Sequence, residues 1–167
     1  VFESFNLTSL WKLPVLYIIE NNMYGMGTSV NRASAGGALY KRAESFDIPG
    51  QIVDGMNVFK VREAAYKASK HVKGGKGPYI LEVQTYRYRG HSMSDPAQYR
   101  TKEELENYKT KDPIQIAYDE IINKKIASKK ELEIINTKIV KKIKKAAEFA
   151  LESPYPNESE LFTDVYF

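Results

Sequence analysis

The sequence predicts an α/β fold, a parallel sheet flanked by helices, followed by a helical C-terminal part. Three observations lead there. Val15-Leu-Tyr-Ile-Ile19 is apolar on both sides, as in a central parallel strand covered by helices. A helical pattern from Asn57 and a second strand-like run, Tyr79-Ile-Leu-Glu-Val-Gln-Thr-Tyr86, follow in the order strand, helix, strand. Beyond residue 100 the pattern is helical, with lysines opposite an apolar stripe. The expected division is residues 1–100 as an α/β portion and residues 101–167 as a helical region packed on it.

The first element reads as a helix. Phe2, Phe5, Leu7, Leu10 and Trp11 recur at three- and four-residue steps. A chain that opens at Val1 inside a helix is expected to be a piece of a longer polypeptide, with truncation, a nick or an upstream part before it. Lys12-Leu-Pro14 breaks the helix, the strand follows, and Glu20-Asn21-Asn22 leads into a glycine-bearing loop, Met23–Ser29. Polar residues past the carboxyl end of such a strand stand where open α/β sheets place ligands. Residues 33–40, with Gly36-Gly37, look turn-rich, and Ile52-Val53 leads to a turn at Asp54-Gly55.

Val58, Val61, Ala64, Ala65 and Ala68 give the helix from Asn57 an apolar face, and Gly74-Gly-Lys-Gly-Pro78 stops it. After the second strand comes another polar loop, Arg87-Tyr-Arg-Gly-His-Ser-Met-Ser-Asp-Pro96. Thr101-Lys-Glu-Glu104 has the spacing of a capping box. Asp112-Pro113 opens another helix. A last helix starts near Ser128, with Glu131 in capping-box position. Leu132, Ile135, Ile139, Ile143, Ala147 and Ala150 are expected as its buried stripe, and Ser153-Pro-Tyr-Pro156 as its end.

Composition narrows the function classes. The 167 residues carry a formal charge of +4, much of it in lysine runs such as Lys124-Lys125 and Lys141-Lys142. Nucleic-acid binding is one reading of such runs and a solvated helix face the other. No aromatic residues are interleaved as in a base-stacking surface, so the solvated face is favoured and no nucleic acid is expected. The longest apolar run, Leu13–Ile19, is far short of the roughly 20 residues of a membrane span, so no membrane partner is expected. Cysteine is absent, which excludes disulfides and thiolate metal sites and suits a reducing compartment.

Two loops hold the residue types that do chemistry. Asn22 offers a neutral oxygen at a strand end, with Tyr24 two residues on. An amide oxygen and a backbone carbonyl suit magnesium if a phosphate shares the ion, whereas an Asn pair read alone is more often turn chemistry. In the second loop Arg87, Arg89 and His91 occupy alternate positions and on an extended chain would converge on one anion. Histidine can also transfer a proton. The bland reading is a salt-bridged surface loop. Ser92 and Ser94 add hydroxyls, and His71 in its lysine-rich helix end is expected to be a surface residue only.

Glu20-Asn-Asn-Met-Tyr-Gly-Met-Gly-Thr-Ser29 resembles the second half of the thiamine-diphosphate motif. Tyr86-Arg-Tyr-Arg-Gly-His-Ser-Met-Ser-Asp-Pro96 resembles the active-site loop of pyruvate dehydrogenase alpha subunits. The resemblance continues through Ile48-Pro-Gly50, Val53-Asp-Gly-Met56, Gly75-Lys-Gly-Pro78, Tyr99-Arg-Thr101 and Asp112-Pro-Ile114 to Ser159-Glu-Leu161.

It implies the following roles. The fold is a partial thiamine-diphosphate-binding fold, the C-terminal portion of that domain. Asn22 ligates magnesium through its side chain and Tyr24 through its carbonyl. Tyr24, Arg87 and His91 contact the cofactor, Arg87 at its diphosphate, and His91 is catalytic. Ser92 matches a kinase-modified serine of mitochondrial relatives and Ser29 a secondary one, while Ala97-Gln98 stands where a further site would be. The Gly-Asp-Gly half of the motif, with its metal-ligating aspartate, does not occur in this sequence. The implied partners are a beta subunit in an alpha-two, beta-two assembly and a lipoyl-bearing acyltransferase core. The implied reaction is oxidative decarboxylation of pyruvate with acetyl transfer to lipoamide, and the fragment alone is expected to be inactive. Dehydrogenases of branched-chain 2-oxo acids or of acetoin are the nearest alternatives, and a basic non-catalytic binding module a remote one. The loop and tail sequences suggest a bacterial cytoplasm, with the mitochondrial matrix as alternative.

Overall fold

The computed structural model describes residues 1–166. It forms two compact units, Val1–Glu120 and Ile121–Phe167. The first contains a three-stranded sheet of β1 (Leu16–Asn21), β4 (Gly50–Asp54) and β5 (Tyr79–Gln84), in the order β1-β5-β4 with both pairings parallel. A separate hairpin pairs β2 (Tyr24–Gly25) with β3 (Thr28–Ser29). Helices α1 (Phe2–Leu10), α2 (Val30–Ala33), α3 (Val58–Lys73) and α4 (Lys102–Lys109) belong to this unit, as does a 3-10 helix at Leu39–Phe46; α5 (Pro113–Asn123) follows α4 in the sequence. The predicted α/β class is the one observed.

The central strand shows why the sheet is covered on both faces. Successive residues of a strand point to opposite sides. Ile80 packs with Phe5 of α1 and Ala43 and Ile48 in and after the 3-10 helix, while Leu81 packs with Ala64 and Ala68 of α3 and Val53 of β4. Asn57 caps α3 by accepting from the backbone N–H groups of Phe59 and Lys60, and Val61, Ala64, Ala65 and Ala68 turn inward as expected. Val58 does not; it is exposed.

Two expectations need correction. Gly50–Asp54 is a full strand rather than a lead-in to a turn, because its backbone finds β5 beside it. The first compact unit runs to Glu120, and α4 is held in it by Glu104 and Tyr108, which meet Tyr86. The apolar stripe of α6 (Lys129–Glu152), in the second unit, is not buried. Ile135, Ile139 and Ile143 are exposed, since the other elements of that unit do not cover them. The Ser128–Glu131 capping box that starts α6 forms in full.

Among the described residues no helix is long and apolar enough to cross a membrane. His71 is no simple surface residue. Its ring meets Tyr79 edge-on at 5.3 Å, and its Nε2 is buried without a hydrogen-bond partner among the described residues.

Candidate functional site

Parallel pairing puts the carboxyl ends of all three strands along one edge. Asn21 stands opposite Gln84 across β1 and β5, and Asp54 opposite Gln84 across β4 and β5. The loops that leave β1 and β5 therefore start side by side.

The first loop is built by its two asparagines. Asn21 Oδ1 accepts from the Met23 N–H at 3.0 Å, and Asn22 Oδ1 from the Tyr24 N–H at 3.1 Å. Two overlapping Asx turns result, the local chemistry for which asparagine is suited. They drive Met23 to a left-handed φ of 71°, uncommon for a side chain of its size. The β2–β3 hairpin follows, and the Val30 N–H closes it onto the Met23 carbonyl at 2.9 Å.

The second loop is tied to the first. Arg87 Nη2 donates to the Met26 carbonyl at 2.6 Å and to the Tyr99 hydroxyl at 3.1 Å, and Nε to the Arg89 carbonyl at 3.1 Å. Tyr24 and Tyr86, one from each loop, both donate to Glu104 Oε1 at 2.8 Å. Tyr86 is stacked on Tyr108 at 3.8 Å with the rings 7° apart, and the Arg100 guanidinium lies 5.2 Å from its ring centre. Arg100 also donates to the carbonyls of Arg87 and Tyr88. Burial, with the hydrogen bond to Glu104 next, pushes the Tyr24 hydroxyl up to about 12, and burial raises Tyr86 as well. Both phenols stay protonated as donors over the physiological range.

Residues 90–97 turn about Asp95. Its carboxylate accepts from the His91 N–H at 2.7 Å, the Ala97 N–H at 2.8 Å and the Tyr99 hydroxyl at 2.9 Å. Those backbone N–H groups, His91 first, hold the Asp95 carboxyl below its ordinary range; the Tyr99 hydroxyl and Arg87 charge add to this. Gly90 is required here, because a Cβ would come within 2.5 Å of the Asp95 carbonyl oxygen. His91, Ser92 and Ser94 are exposed, and the serine hydroxyls lie 3.2 Å apart. The turn lines an open depression of about 780 Å³ with Tyr88, Arg100 and Leu105.

The structure thus brings Asn22, Tyr24 and Arg87 into two loops that touch. Arg87 faces Met26 and Tyr99 while Arg89 and His91 face solvent, so the three basic side chains do not share one environment. Ser29 closes the hairpin opposite Tyr24. Asp95, Tyr99, Arg100 and Glu104 were not singled out as site residues by residue type. Glu104 was hidden because its spacing from Thr101 imitates a capping box. Thr101 Oγ1 does accept from the Glu104 N–H at 3.1 Å, but the carboxylate turns to the two tyrosines instead of back to the cap.

Among the described residues no cluster of three or more His, Cys, Asp or Glu could hold a metal ion. The oxygens of Asn22 and Tyr24 are neutral and hard. They fit a magnesium ion that takes its anionic ligands from a bound diphosphate, and do not fit an ion held by this chain alone.

Residues 1–159 match the family model described as the dehydrogenase E1 component. Among curated proteins the chain is similar to pyruvate dehydrogenase E1 component subunit alpha of Rickettsia felis, 49% identical over 166 residues, 99% of this chain and 51% of that protein. The subunit of that name from Rhizobium meliloti is 51% identical over 166 residues, 99% of this chain and 48% of the relative. The human somatic mitochondrial form is 48% identical over 168 residues, 99% of this chain and 43% of the relative. The chain spans about half the length of the curated relatives it matches.

Proposed function

Since this chain belongs to the dehydrogenase E1 component family, we propose that it is part of the alpha subunit of a pyruvate dehydrogenase. The relatives at 48–51% identity carry that name, which favours pyruvate over branched-chain 2-oxo acids or acetoin. Thiamine diphosphate, when bound, supplies the electron sink for decarboxylating a 2-oxo acid.

This chain's part is to hold and orient. Asn22 Oδ1 and the Tyr24 carbonyl are the magnesium ligands, and Arg87 is the diphosphate-facing cation. Arg87 is pre-aimed, because Nε and Nη2 are already committed to internal acceptors. Preorganised donors lose little entropy on engaging an anion. His91, on the exposed turn about Asp95, is the group that meets the incoming lipoyl arm and handles its proton. Ser92 and Ser29 are candidate phosphorylation sites. Phosphate on Ser92 would add about −1.5 to −2 charge beside the diphosphate site.

The assembly is an alpha-two, beta-two tetramer docked on a lipoyl-bearing acyltransferase core. The compartment is a bacterial cytoplasm, with the mitochondrial matrix the alternative, as relatives of both origins are known. One observation carries the reading: Arg87 of the second loop reaches the Met26 carbonyl of the first at 2.6 Å, over the aligned strand ends.

The test is a reconstitution of the full-length subunit with its beta partner. Magnesium and thiamine diphosphate should be required for turnover, pyruvate should be preferred in a 2-oxo acid panel, and Asn22→Ala or Arg87→Ala should weaken cofactor binding. Turnover unaffected by both substitutions would refute the assignment.

A further inference from the structure

Glu82 has no place in the chemistry above, yet it is the most anomalous residue of the sheet. It lies in the middle of the central strand between Leu81 and Val83, and none of its surface is exposed. Acidic residues are almost never fully buried unless paired, and burying a carboxyl group without partners is costly. Both oxygens of Glu82 do have partners, and neither is a cation. Oε1 accepts from Asn21 Nδ2 at 2.9 Å, and Oε2 from the Tyr40 N–H at 3.0 Å. An apolar residue would fill the same space, but would strip the buried Asn21 amide and the part-buried Tyr40 N–H of this acceptor.

We propose that Glu82 is a positioning residue for the Asn22–Tyr24 turn, acting through the Asn21 side chain. The inference rests on the reading of that turn as a metal site. Glu82 takes the Asn21 amide nitrogen, and this decides which way the amide faces. Asn21 Oδ1 is thereby turned to the Met23 N–H, closing the first Asx turn. Met23 is left at a φ of 71°, a conformation a methionine does not hold by preference. The second turn, Asn22 Oδ1 to the Tyr24 N–H, passes through that residue. Two hydrogen bonds and the Met23 backbone thus link a buried carboxyl to the turn that carries both proposed ligands. Through Oε2 the same group also fixes the start of the 3-10 helix at Tyr40.

The experiment exchanges the two side chains in the full-length subunit assembled with its beta partner. Glu82→Gln leaves a carboxamide facing the Asn21 amide, and Asn21→Asp sets two carboxyls face to face. In the double variant the carboxamide at position 82 donates to the carboxylate at position 21 and still accepts from the Tyr40 N–H. Every hydrogen bond is then kept, with one reversed.

Magnesium affinity in saturating thiamine diphosphate is measured by calorimetric titration, with thermal unfolding alongside. Partners one shell removed from a metal typically change its affinity 10–100-fold. Each single variant should therefore raise the magnesium Kd about tenfold or more, and the exchange should restore it. Parental affinity in a folded Glu82→Gln enzyme overturns the proposal, as does an exchange that folds without recovering affinity. Where Glu82→Gln does not fold, Asn21→Ala replaces it, with the same outcomes. No magnesium binding by the unsubstituted enzyme would overturn the metal-site reading itself and this inference with it.

Discussion

Replacing Glu104 by alanine should loosen both strand-end loops at once. One carboxylate oxygen receives two phenol hydroxyls at 2.8 Å, from Tyr24 of the first loop and Tyr86 of the second. Hydrogen bonds to a charged group contribute roughly 1.5–3 kcal/mol each when buried, and Tyr86 and Tyr24 are buried and half-buried. Water can replace part of the Tyr24 bond, so the loss for Glu104→Ala is set at about 2 kcal/mol. For a chain of this size that lowers Tm by roughly 4–8 °C.

Because the acceptor is shared, the three groups form a closed set. Tyr24→Phe and Tyr86→Phe together should cost as much as Glu104→Ala, and adding Glu104→Ala to that pair should change little more. Glu104→Gln keeps an oxygen that accepts twice and should lose about half as much as alanine. The set also titrates. Tyr24 is raised from 10.0 to about 12 in the folded chain, so its contribution is complete below pH 10 and is lost as pH rises towards 12. Tyr24→Phe should flatten that alkaline limb. Thermal melts followed by circular dichroism between pH 7 and 11 read all of this. A Glu104→Ala chain that melts within about 1 °C of the parent, or fully additive single variants, would refute the reasoning.

Asp95→Asn should free the turn at residues 90–97, seen as faster tryptic cleavage after Arg89 and Arg100; unchanged cleavage rates would count against the Asp95 hub. Since the Asp95 carboxyl is lowered in the folded chain, its hold is present above the ordinary carboxylate range and lost as pH falls below it, so protection of the same turn from an acid-stable protease should fall as the pH drops below that range. Gly55→Ala should destabilise by about 1–3 kcal/mol in denaturant unfolding, because the new methyl would sit 2.6 Å from the Gln84 carbonyl oxygen and 2.7 Å from a Val83 methyl group. Ser92→Asp should weaken thiamine diphosphate binding by the assembled enzyme while leaving its Tm unchanged, as Ser92 is exposed; equal cofactor affinity would remove the charge argument.

Much of the fold could be read before any coordinates. Val15–Ile19 and Tyr79–Tyr86 announce strands by composition, and Asn57 and Ser128 announce helix starts because capping is local chemistry. Gly50–Asp54 could not be read, because two β-formers in five residues become a strand only when β5 stands beside them. The α6 stripe misled for the opposite reason: periodicity says which residues share a face and nothing about what covers it. At the site, Asn22, Tyr24 and Arg87 were legible as residue types in loops. The contacts that join the loops span up to 80 positions, as from Tyr24 to Glu104, and no local pattern encodes them. Glu82 did leave a trace, an acid within an apolar strand, with Asn21 61 positions away as its partner.

The strand order also governs how the chain can be made. Among the described residues the two outer strands precede the one between them in the sequence, so neither β1 nor β4 meets the ladder partner seen here until residues 79–84 emerge. Until then the edges of β1 and β4 that pair with β5 are open to a neighbouring polypeptide, the situation in which nascent sheets aggregate. Chains interrupted before Tyr79 should collect in inclusion bodies, and those that reach Gln84 should escape that fate.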